Sequence, residues 1–283
     1  MPASGKRYTR KGTSQPRKPG SRTRRHSRKF LRRVPSWVVY VLIGLAVGGY
    51  AFFVANLINL RSTHPASAAY GDPIYPDNYE ICGIDISHYQ KRVDFDRLRN
   101  ARVMNRPLRF VFIKATEGAS IVDERFDENF RKARQANIIR GAYHFFIPDV
   151  DVEKQARFFI RHVKLQPGDL PPVLDIERTG RLSDSQLRSA VLTWLQIVER
   201  HYGVRPIIYA GYNFHQQFLD TDFKLLADYP FWIAHYYVKQ LEYEDHWDFW
   251  QYTDKGQVDG IDGPVDCNVF NGNLEQMMRL TVK

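Results

Sequence analysis

Neither aspartate nor glutamate occurs in residues 1–71, and residues 37–60 carry no charge of either sign. The first absence confines the chain's basicity to one end. The formal net charge is +10, yet 14 of the 41 Lys and Arg lie in that acid-free segment, 13 of them before Pro35. Residues 72–283 hold the other 27 against all 31 acids, a balance of about −4, so the body of the chain is not a basic nucleic-acid binder. The segment "KGTSQPRKPGSRTRRHSRK" is too polar and charged to bury a core. Residues 1–35 therefore read as a disordered basic tail.

The second absence points to a membrane. "WVVYVLIGLAVGGYAFFVANLINL", Trp37 to Leu60, is 24 residues without a charge. As a helix it would be about 36 Å long, enough to cross a bilayer with some tilt. A buried core helix rarely runs so long. A cleaved signal peptide has a candidate site in "ASAA" at Ala66 to Ala69, but the apolar run is long for one. We therefore expect a single transmembrane signal anchor over 36–60. The cationic flank puts the tail in the cytoplasm and everything after Arg61 in the periplasm or outside the cell. This topology accounts for the tail's charge without a nucleic-acid partner. Residues 61–78, with small residues and prolines and no periodicity, read as a linker, and 79–283 as one domain.

Other absences narrow the chemistry. There is no Gly-rich phosphate loop, no G-x-S-x-G turn and no H-E-x-x-H. Nucleotide chemistry and serine hydrolysis thus have no support, and His88 and His144 lack metal-site spacing, so neither a metal nor another cofactor is expected.

What is present in 79–283 is strand–helix alternation. Apolar runs rich in β-branched and aromatic residues lie at 81–87, 109–116, 139–146, 171–177, 206–211, 231–236, 248–253 and 265–270. Amphipathic segments at 125–138, 151–163 and 183–203 have helical spacing, the last opening with Ser183 and closing with Gly203. The pattern predicts an α/β fold: a TIM-like, largely parallel β/α barrel of eight strands whose last members lack full helices.

In such a barrel, reactive groups project from the carboxyl ends of the strands. "GIDIS" offers Asp85, "PPVLDIE" offers Asp175 and Glu177, and "GPVDCNVF" offers Asp266. No Lys or Arg lies in these runs to neutralise them. Four converging acids hold one another's pKa values apart, keeping one carboxyl protonated beside an ionised neighbour. Glycosidic cleavage needs that division of labour. A lone acid at a strand end is more often a cap or simply solvated, and Asp266 by itself would be read so. Tyr143, His144, Phe145, Tyr209, Trp232 and Gln251, with Tyr212, His235, Tyr236 and Trp250 nearby, are aromatics and amides suited to stacking on sugars and bonding their hydroxyls. Half of any strand faces the helices, so about half of this set belongs to plain core.

These runs, taken in order ("GIDISHYQ", "FVFIKATEG", "RGAYHFF", "PPVLDIE", "PIIYAGY", "FWIAHY", "WQYTD", "VDGIDGPVDCNVF"), resemble glycoside hydrolase family 25, the lysozymes or N-acetylmuramidases, over about 79–275. The resemblance implies a barrel with fewer helices than strands, and cleavage of the β-1,4 bond between N-acetylmuramic acid and N-acetylglucosamine in peptidoglycan glycan strands. It matches Glu177 to the general acid, Asp175 to its assistant, and Asp85 and Asp266 to two further aspartates of the site. The chain is accordingly expected to be a membrane-anchored, monomeric bacterial member. Two carboxylates two residues apart favour one side of the sugar over flanking it, so the substrate's own acetamido oxygen is the expected nucleophile, with Asp85 as competitor. Cys82 and Cys267 lie on the first and last strands, which closure makes neighbours; strand register decides whether a disulfide can form. A non-catalytic glycan-binding module is the alternative of another class. A chitin-type glycosidase is the enzymatic rival, although "LPPVLDIE" lacks the first two acids of a D-x-x-D-x-D-x-E run.

Overall fold

Each of the eight apolar runs forms a strand, and together they close into a barrel in the computed structural model, which describes residues 74–219, 225–243 and 246–283. The expected tail and span (1–35 and 36–60) and most of the linker lie outside the described residues. Among those described, no helix is long and apolar enough to cross a membrane. All belong to one compact unit, Ala66–Lys283.

The strands are β1 (Ile81–Ile86), β2 (Arg102–Val103), β3 (Arg106–Glu117), β4 (Ile121–Val122), β5 (Ile139–Phe145), β6 (Val173–Asp175), β7 (Ile207–Gly211), β8 (Phe231–Ala234), β9 (Phe249–Gly256) and β10 (Val265–Phe270). The barrel runs β1-β3-β5-β6-β7-β8-β9-β10 and closes by pairing β10 with β1. The short β2 and β4 add antiparallel flaps to the ends of β3.

Seven barrel strands are parallel, as the alternation predicts. The eighth is not: β10 runs antiparallel to both β9 and β1. Only residues 257–264 join β9 to β10. That is too short for the crossover a parallel neighbour needs, so the chain turns back on itself. The reversal brings the start of β10, with Asp266, to the end where the other strands finish. Asp85 and Asp266 consequently lie opposite each other in the β1–β10 register.

Three full helices cover the early strands: α2 (Phe126–Gln135), α3 (Val152–His162) and α4 (Asp184–Tyr202), following the short α1 (Phe95–Leu98). The α4 helix is bounded as its sequence requires. Ser183 and Gln186 form a reciprocal cap at its start, and Gly203 takes the left-handed conformation at its end, φ 71°. Among the described residues the later strands carry a three-residue turn, α5 (Tyr212–Phe214), continued by a π-helical turn over His215–Leu219, and a C-terminal helix, α6 (Leu274–Leu280), which is not evident from the sequence pattern.

Side chains alternate between two cores. Val111, Ile113 and Ala115 of β3 face outward with Phe126, Phe159 and Trp194 of the helices. Phe110 and Phe112 face inward with Tyr209, Trp232, Phe249 and Phe270, and Met277 of α6 belongs to this inner cluster. Phe112 stacks on Trp232 with ring centroids 4.5 Å apart. Two glycines make this lumen possible. A Cβ at Gly83 would lie 2.5 Å from the Phe110 ring, and one at Gly141 would lie 2.5 Å from Phe112.

The cysteine pair sits on the outer face of the seam with both thiols free. Cys82 is opposite Val269 and Cys267 opposite Ile84, a two-residue offset that a disulfide cannot span without moving backbone.

Candidate active site

Above the aromatic lumen the inward positions become polar. The same alternation that places Phe110 and Phe112 inside carries Lys114 to the top of β3. Asp85 follows Ile81 and Gly83 on β1, Tyr143 and Phe145 end β5, and Asp175 ends β6. Glu177, two residues past β6, keeps the phase of Asp175 and stands exposed on the rim. These groups line an open cleft of about 470 Å³, together with Ser87, Tyr89, Gln90, Glu117, Arg178, Tyr209, Trp232, Tyr236, Gln251 and Asp266. All four expected acids thus share one cleft.

Their environments differ. Asp85 is buried, and its Oδ1 accepts from both Gln251 Nε2 and Asn268 Nδ2, each at 2.8 Å. Those amides are themselves tied. Gln251 Oε1 accepts from Tyr209 OH at 2.8 Å and Tyr236 OH at 2.6 Å, and Asn268 Oδ1 accepts from Trp232 Nε1 at 2.8 Å. Burial raises Asp85 to about 6, against the pull of the two amides. Asp266, facing it, is pushed up to about 9 by burial and then by the Asp85 charge. The two carboxyls face each other and titrate as a pair that favours retaining a proton between them.

Asp175 has no such support. It is 6% exposed, and its buried Oδ1 has no hydrogen-bond partner among the described residues. Burial, then Glu177 and Asp85, raise its pKa well above the carboxylate range, with Lys114 opposing. Glu177 is raised mainly by desolvation, against Arg178 and Lys114. Lys114 is the cation missing from the acid-bearing runs. It comes from a neighbouring strand, bonds Glu117 Oε2 at 2.7 Å, and lies 4.9 Å from the centroid of the Phe145 ring.

The six expected sugar contacts separate into three groups. Tyr143 and Phe145 line the cleft, half-buried. Tyr209, Trp232 and Gln251 also line it but form its floor, with their polar atoms committed to the Asp85 network. His144 is not in the cleft, which corrects its placement with the sugar contacts. Alternation turns it outward, where it is fully buried, stacked on Trp194 and hydrogen-bonded to Thr116 Oγ1 (2.7 Å) and Gln155 Oε1 (3.2 Å). Burial lowers its pKa to about 4, so it stays neutral.

Lys114, Glu117, Tyr89 and Arg178 also line the cleft and Asn268 supports Asp85, although none of them is among the candidates named from the sequence. Period two was available as a signal for two of them: Lys114 is in phase with Phe112, and Asn268 with Asp266. Tyr89, 76% exposed on the cleft's lip, carries none. Among the described residues no group of three or more His, Cys, Asp or Glu is arranged to hold a metal ion.

Comparison with known proteins agrees with this geometry. Residues 84–261 match the model of glycosyl hydrolases family 25. YegX of Escherichia coli K12, an uncharacterized protein, is 46% identical over 203 residues, 71% of this chain and 74% of that one. Lysozyme M1 of Streptomyces globisporus is 34% identical over 221 residues, 72% of each chain. The solved structure of a family 25 glycosyl hydrolase from Bacillus anthracis superposes with a TM-score of 0.67 at 31% identity, covering 75% of this chain and 98% of that one. The chain is therefore a glycoside hydrolase and belongs to glycosyl hydrolase family 25.

Proposed function

We propose that the protein is a muramidase that cleaves the β-1,4 bond between N-acetylmuramic acid and N-acetylglucosamine in peptidoglycan, with Glu177 as general acid and base and Asp175 assisting. The observation that carries this reading is the pair at the end of β6: an unpartnered, buried carboxylate oxygen on Asp175 beside a rim carboxyl of raised pKa on Glu177. A buried polar atom without a partner in the free protein is available to a ligand.

In the proposed reaction Glu177 protonates the departing glycosidic oxygen. The acetamido oxygen of the sugar attacks its own anomeric carbon, giving an oxazolinium, while the unpartnered Oδ1 of Asp175 accepts the acetamido N–H and orients the group. Glu177 then removes a proton from the water that opens the ring. Asp85 is less suited to attack directly, because Gln251, Asn268 and Asp266 already occupy it. We place Asp85 and Asp266 as a charge-setting pair behind Asp175. Inhibition by a thiazoline analogue of the substrate is expected on this route; its absence would transfer the nucleophile's role to Asp85.

The uncharged run at 37–60 supports a single-pass anchor with the barrel outside the cytoplasm, where peptidoglycan lies. The test of activity is digestion of purified peptidoglycan by the detergent-solubilised chain, with reduced products read by mass spectrometry. Muramitol-ended fragments are expected, with a loss of about 10²- to 10⁴-fold in Glu177→Gln. Intact peptidoglycan that is nonetheless bound would make the barrel a glycan-binding module.

A further inference from the structure

Five acids line the cleft, Asp85, Glu117, Asp175, Glu177 and Asp266, against two cations, Lys114 and Arg178. The cations are not equivalent. The Lys114 side chain is only 11% exposed and is committed to Glu117 at 2.7 Å. Arg178 is exposed on the rim, one residue beyond Glu177, with its guanidinium 5.1 Å from the centroid of the Phe145 ring. Among the described residues it forms no ion pair, whereas nearby Arg181 is engaged with Asp149 at 3.2 Å. The Phe145 ring holds the guanidinium at cation–π distance, and the exposed side chain keeps donors free for a ligand at the mouth of the cleft.

We propose that Arg178 is a specificity residue that binds a carboxylate of the lactyl-linked peptide on the muramyl sugar. This rests on the muramidase reading. The substrate of that reaction brings carboxylates to a cleft whose other lining cation, Lys114, is committed to Glu117, and a planar two-donor cation at the rim is the group suited to receive one. Because Arg178 also lowers the Glu177 pKa through space, it has two separable effects. One follows the charge on the substrate; the other shifts the pH profile on every substrate alike.

The test compares soluble glycan strands bearing native peptide stems with the same strands after their carboxylates are converted to amides. Both are offered to the full chain and to Arg178→Gln and Arg178→Lys. Wild type is expected to favour the native strands in kcat/KM by about five- to tenfold, mostly through KM. Arg178→Gln is expected to lose that preference, and Arg178→Lys to recover part of it. An unchanged preference in Arg178→Gln, or the same loss on both substrates, overturns the assignment while leaving the muramidase reading intact. A wild-type chain inactive on both overturns the muramidase reading, and this one with it.

Discussion

Asp175 Oδ1 is buried without a donor, and burial, Glu177 and Asp85 together raise the carboxyl's pKa well above its usual range. Such a group destabilises the fold wherever the unfolded chain would be ionised, above about pH 4. Asp175→Asn is therefore expected to raise Tm at pH 7 by at least about 2 °C. The gain should shrink toward zero at pH 4, while hydrolysis falls by about 10²-fold or more. A lowered Tm at pH 7 would mean that Asp175 is held by contacts the free site does not show. The Asp85–Asp266 pair follows the same sign. Both values are raised, to about 6 and about 9, so the folded protein binds more protons than the unfolded chain between about pH 4 and pH 9. Stability should fall as pH rises through that window. Asp266→Asn, which retains a donor for Asp85, should flatten the slope of Tm against pH; an unaltered slope would place the shared proton elsewhere.

Among the elements, the lumen depends on what β1 and β5 omit. Gly83→Ala puts a methyl against the Phe110 ring, which is itself packed edge-on against Phe112 at 5.6 Å and Phe249 at 5.4 Å. With no room for that ring to retreat, overpacking should cost on the order of 1–3 kcal/mol, read from thermal or denaturant unfolding. At the seam, Cys82 and Cys267 are buried thiols raised by burial to about 11 and about 12. They should resist alkylation in the native protein and react only on unfolding, and reduction should leave the mass unchanged; a gain of two hydrogens would instead reveal a bridge. The β5 strand illustrates how far a sequence can be read. "YHFF" is a cluster of candidate ligands, but period two separates Tyr143 and Phe145 from His144 as soon as one inward residue is known. The histidine then belongs with Trp194 and Gln155, a core contact supplied by helices distant in sequence.

For the whole molecule, we expect two separable parts. The barrel closes both its cores within the described residues, and it corresponds to 98% of a solved family member's chain. Residues 74–283 should therefore express as a soluble, folded fragment. The full chain should pellet with membranes and resist extraction by alkaline carbonate, as an anchor over 36–60 requires. Release of the full chain by carbonate would instead favour cleavage near Ala66–Ala69.

Local chemistry was enough to locate the eight strands, the three large helices and the four acids. Each strand is a contiguous apolar run, each helix has apolar residues at helical spacing and two of the three open on a side-chain cap, Asp151 and Ser183, and an acid at the end of an apolar run is conspicuous wherever the run is placed. What local chemistry could not determine was pairing. The reversal of β10 depends on the short 257–264 connection meeting a barrel that has one strand left to close, and it puts Asp266 across from Asp85. Lys114 became part of the site because β3 lies beside β5 in the closed sheet, under Phe145. The unequal standing of the four acids came from the same source. Asp85 is held by amides on β9 and β10, whereas Asp175 faces the cleft with no donor. Charge and burial are properties of a neighbourhood, and closure of the barrel assembled that neighbourhood from strands nearly two hundred residues apart.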